Sequence, residues 1–337
     1  MNIALLKRRA EIEKESAVIT INAFAEELKK RHNVFIVSGR TRKEYKTEFK
    51  KIKEPIDIIH GFSAAPLVAL NLIAAKRTQP HAKTIFTLKS YSRHPLGSLW
   101  FTPILNAINA VTVPTHVFAN KLKSHGLKKN KIHIIHSSLD TEKFVQKNKS
   151  ELKEKYNYKK KKIVLYYGSL FISKGVDYLI NASKEIENAH PNALILIAPR
   201  EGTNDQLIQQ TQHKSNIKII PEINVVDYVN LADCVVLPYT DLVATEGNPS
   251  CMLEAIACKT PVITTDMPEI QELFNETEIV IVPRKNAQAL AEAINNLLSN
   301  EKKRKELTEN AYKKIKQFDI HKVTKDFEEL YKQLIQA

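Results

Sequence analysis

The chain has 337 residues, 43% of them hydrophobic, a length and content that suit two soluble globular domains better than one and exclude a disordered chain. Its formal net charge of +14 is unevenly placed: residues 1–150 hold 27 Lys and Arg against 11 Asp and Glu, and the remaining 187 hold 24 against 26. No apolar run approaches the ~18 residues of a transmembrane helix, and Met1–Lys7 is too short for a signal segment.

Taken in order, apolar runs of strand length alternate with amphipathic stretches. In the first half the runs are Ile3–Leu6, Val34–Ser38, Ile56–His60, Thr84–Leu88, Val111–Pro114 and Ile132–His136. Helical patterns fall between them at Glu15–Arg31, Ala64–Lys76 and Thr115–His125; the first places Val18, Ile21, Ala25 and Leu28 close to helical spacing. A lysine-loaded stretch, Thr141–Lys162, has no strand pattern and reads as a connection with a short helix near Glu151–Tyr156. The alternation restarts with Ile163–Tyr167, Leu194–Ala198, Ile217–Ile220, Cys234–Pro238, Val262–Thr264 and Ile279–Val282, with helices at Lys174–Glu187 and Ala287–Leu298. Two helical segments, Lys302–Gln317 and His321–Ile335, end the chain. This pattern predicts two doubly wound parallel α/β domains, residues 1–150 and 151–318, facing a cleft, with ligands at the carboxyl ends of the strands.

The richest local signal is Glu246-Gly247-Asn248-Pro249-Ser250-Cys251-Met252-Leu253-Glu254, running into a short helix and the apolar strand Pro261–Thr265. Two carboxylates with seven residues between them can grip sugar hydroxyls, while the backbone N–H groups of Gly247–Met252 can hold an anion. The plainer reading is a turn with Ser250 as N-cap and Glu254 as a solvated first-turn acid. Upstream, Val164–Ser169 is a strand ending in Gly168, and Lys174-Gly175 opens a helix, where the ammonium can sit over a phosphate. Its spacing is not that of a nucleotide-hydrolase P-loop. The three cysteines, Cys234, Cys251 and Cys258, lack metal-ligand spacing and are too few for a disulfide framework, which points to the cytoplasm.

Together these segments resemble the retaining glycosyltransferases of family four, which have the GT-B fold. The resemblance runs through Asp57-Ile58-Ile59-His60, Ile134–Phe144, Tyr167–Leu179, Tyr228–Tyr239 and Glu246–Asp266 to Phe318–Tyr331, the last matching a family helix that crosses back onto the N-terminal domain (residues 319–337 here). It implies a nucleotide-sugar donor, UDP- or GDP-linked, and no metal or other cofactor. Glu254 would bond the ribose hydroxyls and Glu246 the transferred sugar. Lys174, with Gly168, Ser169 and the backbone of Gly247, Asn248, Pro249, Ser250, Cys251 and Met252, would hold the departing diphosphate. His60 keeps a family position at a strand end and is a candidate catalytic residue, although a lone histidine at a strand end is more often a structural hydrogen-bonder.

The departures from the family are specific. Ser169 stands where an arginine is common, with Arg200 as a candidate replacement. The early Gly-Gly loop is replaced by Ala10–Ser16, and Lys89 stands where a histidine is usual near the reacting centre. Lys89 can support an oxyanion or a phosphate, yet is a poor base unless burial lowers its pKa. Tyr91 and Arg93 are candidates for the acceptor side; His133 and His136 read as structural. The basic half suggests a saccharide or lipid-linked acceptor, anionic or held at a membrane, and peripheral docking on an anionic cytoplasmic face. A catalytically impaired binding or scaffold protein is the rival expectation. Nucleic acid is not an expected partner, because the basic residues are not interleaved with aromatics as in stacking grooves.

Overall fold

The computed structural model describes residues 1–8, 16–63, 66–88, 90, 102–199, 205–241 and 249–337. The chain forms two compact units, Met1–Leu139 with Gln317–Ala337, and Asp140–Leu242 with Pro249–Lys316.

The first unit opens with β1 (Asn2–Arg8), α1 (Ser16–Lys29), β2 (Asn33–Gly39), α2 (Arg42–Phe49), β3 (Ile58–Phe62) and α3 (Pro66–Lys76). It continues with β4 (Lys83–Thr87), α4 (Thr102–Asn106), β5 (Ala110–Val113), α5 (His116–Ser124) and β6 (Ile132–Ile134). The six strands form one parallel sheet in the order β2-β1-β3-β4-β5-β6, with Ile3 aligned to Val34 and Ile58. Side chains alternate across a strand, and both faces are apolar because both are covered. Ala4, Leu6, Ile59, Phe86 and Val111 pack with Tyr45 and Phe49 of α2, Val68 and Leu72 of α3, and Phe118 of α5. Ile3, Leu5, Ile58 and Ile85 pack on the other face with Ile21, Phe24 and Leu28 of α1.

The second unit runs α6 (Lys149–Lys155), β7 (Lys162–Gly168), α7 (Val176–Ala189), β8 (Ala193–Pro199), α8 (Asp205–Thr211), β9 (Ile217–Ile219), α9 (Val225–Leu231) and β10 (Cys234–Leu237). Then come α10 (Ser250–Ala257), β11 (Val262–Thr265), α11 (Pro268–Leu273), β12 (Val280–Val282), α12 (Ala287–Ser299) and α13 (Glu301–Tyr312). Its parallel sheet has the order β12-β11-β10-β7-β8-β9. From β7 the chain moves outward to β8 and β9, then returns to β10 on the other side. Right-handed crossovers therefore put α7 and α10 on opposite faces. Val164, Tyr166, Ile195, Cys234 and Val236 pack against α7 and α12.

The doubly wound architecture expected from the alternation is present in both sheets. The short helices α2, α4, α8, α9 and α11 have eight residues or fewer, too few for a helical repeat to show in the sequence.

The chain ends in α14 (Ile320–Gln336), part of the first unit, where Val323, Phe327, Leu330 and Tyr331 join the core against α1. Asp319 caps it, accepting from the backbone of His321 and Lys322. Leu139 N–H donates to Phe318 O at 2.7 Å and Ile320 N–H to Leu139 O at 2.9 Å, which fixes the entry of the helix. Polar contacts fasten its flank: His321 meets Glu27 at 3.0 Å, Arg31 pairs with Glu328 at 2.8 Å, and the His32 ring, its pKa lowered by burial, lies 2.8 Å from the same carboxylate.

Burial alone would raise the Glu27 carboxyl, but hydrogen bonds from Lys30, His321 and Arg31 outweigh it and hold its pKa at about 2. His321 is raised in turn by the Glu27 hydrogen bond. The carboxylate's contribution to stability is complete above its unfolded pKa near 4.5 and fades as pH falls toward 2; the imidazolium's is complete below 6.5 and fades as pH rises through its raised value. The Tm difference between the wild type and Glu27→Gln should therefore be largest between about pH 4.5 and 6.5. After screening of the half-exposed cations it should correspond to about 1–2 kcal/mol. Thermal unfolding across pH measures it.

Candidate functional site

In a doubly wound sheet, ligands settle outside the carboxyl ends of the strands where the strand order reverses. In the second unit that point lies between β7 and β10, and the described candidate residues gather there. β7 ends at Gly168, with φ 151°. The chain passes through a 3₁₀ turn, Ile172–Lys174, into Gly175, with φ 64°, which starts α7. This loop is fastened to the end of β10: Thr240 N–H donates to Ser173 O at 3.0 Å. A Cβ on Gly175 would stand 1.9 Å from Pro238 O. Only glycine gives both the left-handed backbone and that approach.

Lys174 is held in this latch. Its side chain is buried, with Nζ 5.2 Å from the centre of the Tyr239 ring just past β10, a cation–π arrangement. A buried ammonium beside a strand-end crevice supplies a fixed positive charge in a medium where charge acts strongly.

α10 enters from the opposite face. Pro249, not Ser250, occupies its N-cap position and offers no side-chain acceptor to the first N–H groups. The helix start is tied to β7 through Tyr167, fully buried, whose hydroxyl donates to Cys251 O at 2.7 Å; Cys251 Sγ lies 3.3 Å from Tyr167 O. Glu254 follows in the second turn, 6% exposed, and is far from a solvated first-turn acid. Cys258, one turn on, is pushed up to about 12 by burial and by the nearby Glu254 charge, so its thiol is not an available nucleophile.

The second unit thus brings Gly168, Ser169, Lys174, Pro249, Ser250, Cys251, Met252 and Glu254 to the same edge of one sheet. The braces Tyr167, Tyr239 and Pro238 fall at the ends of segments that carry the family resemblance, but nothing in the sequence marks their bracing role. Glu246, Gly247, Asn248, Lys89, Arg200, Tyr91 and Arg93 lie outside the described residues, as does most of Ala10–Ser16.

His60 needs correction. It is fully buried in β3, with Nδ1 2.6 Å from the Tyr331 hydroxyl and Nε2 2.6 Å from the Thr87 hydroxyl, which in turn meets Thr112 Oγ1 at 2.6 Å. Its ring stacks on Phe62 with centroids 4.0 Å apart. A group that handles a substrate proton must reach it, and both ring nitrogens here are occupied within the core. The catalytic role expected of His60 gives way to a structural one, bracing α14 against β3 and β4. His136 lies past the end of β6 rather than within it, bonded to Pro114 O at 2.8 Å.

Residues 148–314 match the family model described as "Glycosyl transferases group 1", and residues 45–143 the one described as "Glycosyltransferase Family 4". Between them the models take in most of the chain, whose two halves are each similar to glycosyltransferases, and its two doubly wound sheets have the GT-B fold. Among similar proteins is the one described as "Putative teichuronic acid biosynthesis glycosyltransferase TuaC" of Bacillus subtilis, 24% identical over 283 residues, covering 82% of this chain and 70% of TuaC. Another is the N,N'-diacetylbacillosaminyl-diphospho-undecaprenol alpha-1,3-N-acetylgalactosaminyltransferase of Campylobacter jejuni, 27% identical over 64% of this chain and 58% of its own. In fold the chain is similar to Anabaena Alr3699/HepE, solved in complex with UDP: TM-score 0.83 at 15% identity, over 99% of this chain and 100% of that one.

Proposed function

We propose that the chain transfers a sugar from a nucleotide sugar, with retention at the anomeric carbon, to a saccharide or lipid-linked acceptor in the assembly of a cell-surface polysaccharide or other glycan. The observation that carries this is the β7–β10 crevice, where a buried lysine, a glycine-formed turn and the start of α10 meet beside a buried carboxylate. As the sugar–phosphate bond breaks, negative charge grows on the leaving diphosphate. Lys174 and the α10 N–H groups stabilise that charge, and Glu254 accepts hydrogen bonds from the ribose hydroxyls. Glu246 is assigned to the hydroxyls of the transferred sugar, and Arg200 and Lys89 to added positive charge. The diphosphate oxygen takes the acceptor proton on the face it leaves, so no protein base is required.

A UDP-sugar is the preferred donor, supported by the UDP held by Anabaena Alr3699/HepE. A lipid-linked acceptor is supported by the Campylobacter enzyme's diphospho-undecaprenol substrate and by the basic first half of this chain. With the cations supplied by protein, transfer should persist in EDTA. Glu254→Gln keeps the shape and removes the charge. It should weaken nucleoside diphosphate binding by about tenfold to a hundredfold, the worth of hydrogen bonds to a charged group. Titration calorimetry measures it, and unchanged affinity would remove Glu254 from the site.

A further inference from the structure

The first unit contains a cavity that the donor chemistry does not use. It opens between α2 and α3, with a volume of about 690 Å³, in the range of sites that hold sizeable ligands. Leu6, Phe49, Ile52, Ala74 and Ala75 give it an apolar wall. Tyr45 closes one side, its hydroxyl spent on Lys7 O at 2.7 Å.

The rim has the opposite character. Arg42, Lys43, Lys46 and Lys50, all exposed, line the cavity along α2. Among the described residues none of these four pairs with a carboxylate. Arg42 and Lys43 also sit in the first turn, where the helix dipole disfavours cations. Their positions are poor for helix stability and good for a shared anionic partner. Lys51 and Lys53 extend the basic stretch, and Leu70 of α3 is an exposed apolar residue.

We propose that this cavity is a docking site for an anionic membrane phospholipid, one acyl chain entering between α2 and α3 while the four basic side chains meet headgroup phosphates. This rests on the reading of the basic unit as the acceptor-side, membrane-facing half, and names where the membrane is held. Apolar depth with a cationic rim matches an amphiphile with a negative head. The cavity extends to Thr78 and Gln79, beyond the carboxyl end of α3. Because α3 returns antiparallel to β3, that end lies toward the amino edge of the sheet, while Arg42 and Lys43, just past the end of β2, lie toward the carboxyl edge. The cavity thus runs along the flank of the sheet with one end remote from the edge where substrates react, which favours an anchoring lipid over the reacting acceptor.

The test is flotation of the full chain with vesicles of phosphatidylcholine alone or of equal parts phosphatidylcholine and phosphatidylglycerol. Binding is expected only to the second kind. The Lys46→Glu/Lys50→Glu variant should reduce it by about tenfold or more, given about 1 kcal/mol for each basic residue at an anionic surface. Ala74→Phe, which fills the cavity and leaves every charge, should reduce it several-fold. A photoreactive phosphatidylglycerol carrying its diazirine in the acyl chain gives a second readout on the unaltered protein, with adducts expected in residues 42–52 and 71–79. Binding unaffected by Ala74→Phe, or adducts confined elsewhere, would overturn the proposal, as would flotation with neither vesicle. Release by a short-chain polyprenyl phosphate with loss of those adducts would assign the cavity to the acceptor lipid and overturn it too. Donor turnover with detergent-dispersed acceptor is read separately in the wild type; if it persists while the wild-type chain floats with neither vesicle, only the docking inference falls.

Discussion

Lys174→Met lowers kcat by about two to three orders of magnitude while the protein stays folded. The ammonium is the described cation at the β7–β10 crevice, held by the 3₁₀ turn and the Tyr239 ring. Removing one preorganised donor aimed at developing charge costs about 2.7–4 kcal/mol of transition-state stabilisation. Methionine keeps much of the apolar stem packed in the same place, so a Tm close to wild type separates lost charge from lost packing. Lys174→Arg should recover only part of the rate, because a planar guanidinium does not fit the position of a compact ammonium. Steady-state kinetics with a saturating nucleotide sugar decide the matter. A kcat within a fewfold of wild type in Lys174→Met would show that the lysine serves the fold and not the reaction.

Gly175→Ala should lower stability by at least about 3 kcal/mol, combining the cost of a left-handed backbone for a residue with Cβ and the displacement of a backbone carbonyl. The atom in the way is Pro238 O, 1.9 Å from the new Cβ, and it belongs to the loop that follows β10. Relief therefore means parting the ends of β7 and β10, which also moves Lys174. For a domain of this size the Tm should fall by roughly 6–12 °C, with nucleotide binding weakened in parallel. Scanning calorimetry with and without UDP measures both. A variant that melts and binds like wild type would contradict the latch.

Much of the fold was legible because its strands are buried on both faces and read as short apolar runs. Ile163–Tyr167 became Lys162–Gly168 and Thr84–Leu88 became Lys83–Thr87, shifts of one residue at ends where patterning carries little information. The reversal of strand order at β7 was not legible, since no local pattern says which strand β10 joins. Glu254 and Lys174 were found through motif and resemblance, whereas their burial and the Tyr167 and Tyr239 braces required the packed sheet. His60 stayed open between two roles because a histidine at a strand end looks alike in sequence whether it faces solvent or Tyr331, 271 positions away. The basic rim of α2 showed as charge alone; the cavity behind it depends on the side chains of α3.

The most direct test of the central claim is the release of nucleoside diphosphate from UDP- and GDP-sugars in the presence of a polyprenyl-phosphate-containing lipid extract, followed together with the glycosylated product. The account predicts release and product in equal amounts with at least one donor, retention of the donor's anomeric configuration, and loss of both in Lys174→Met. Tight nucleotide-sugar binding with no release and no product from any donor would contradict it and leave a binding protein built on a transferase fold.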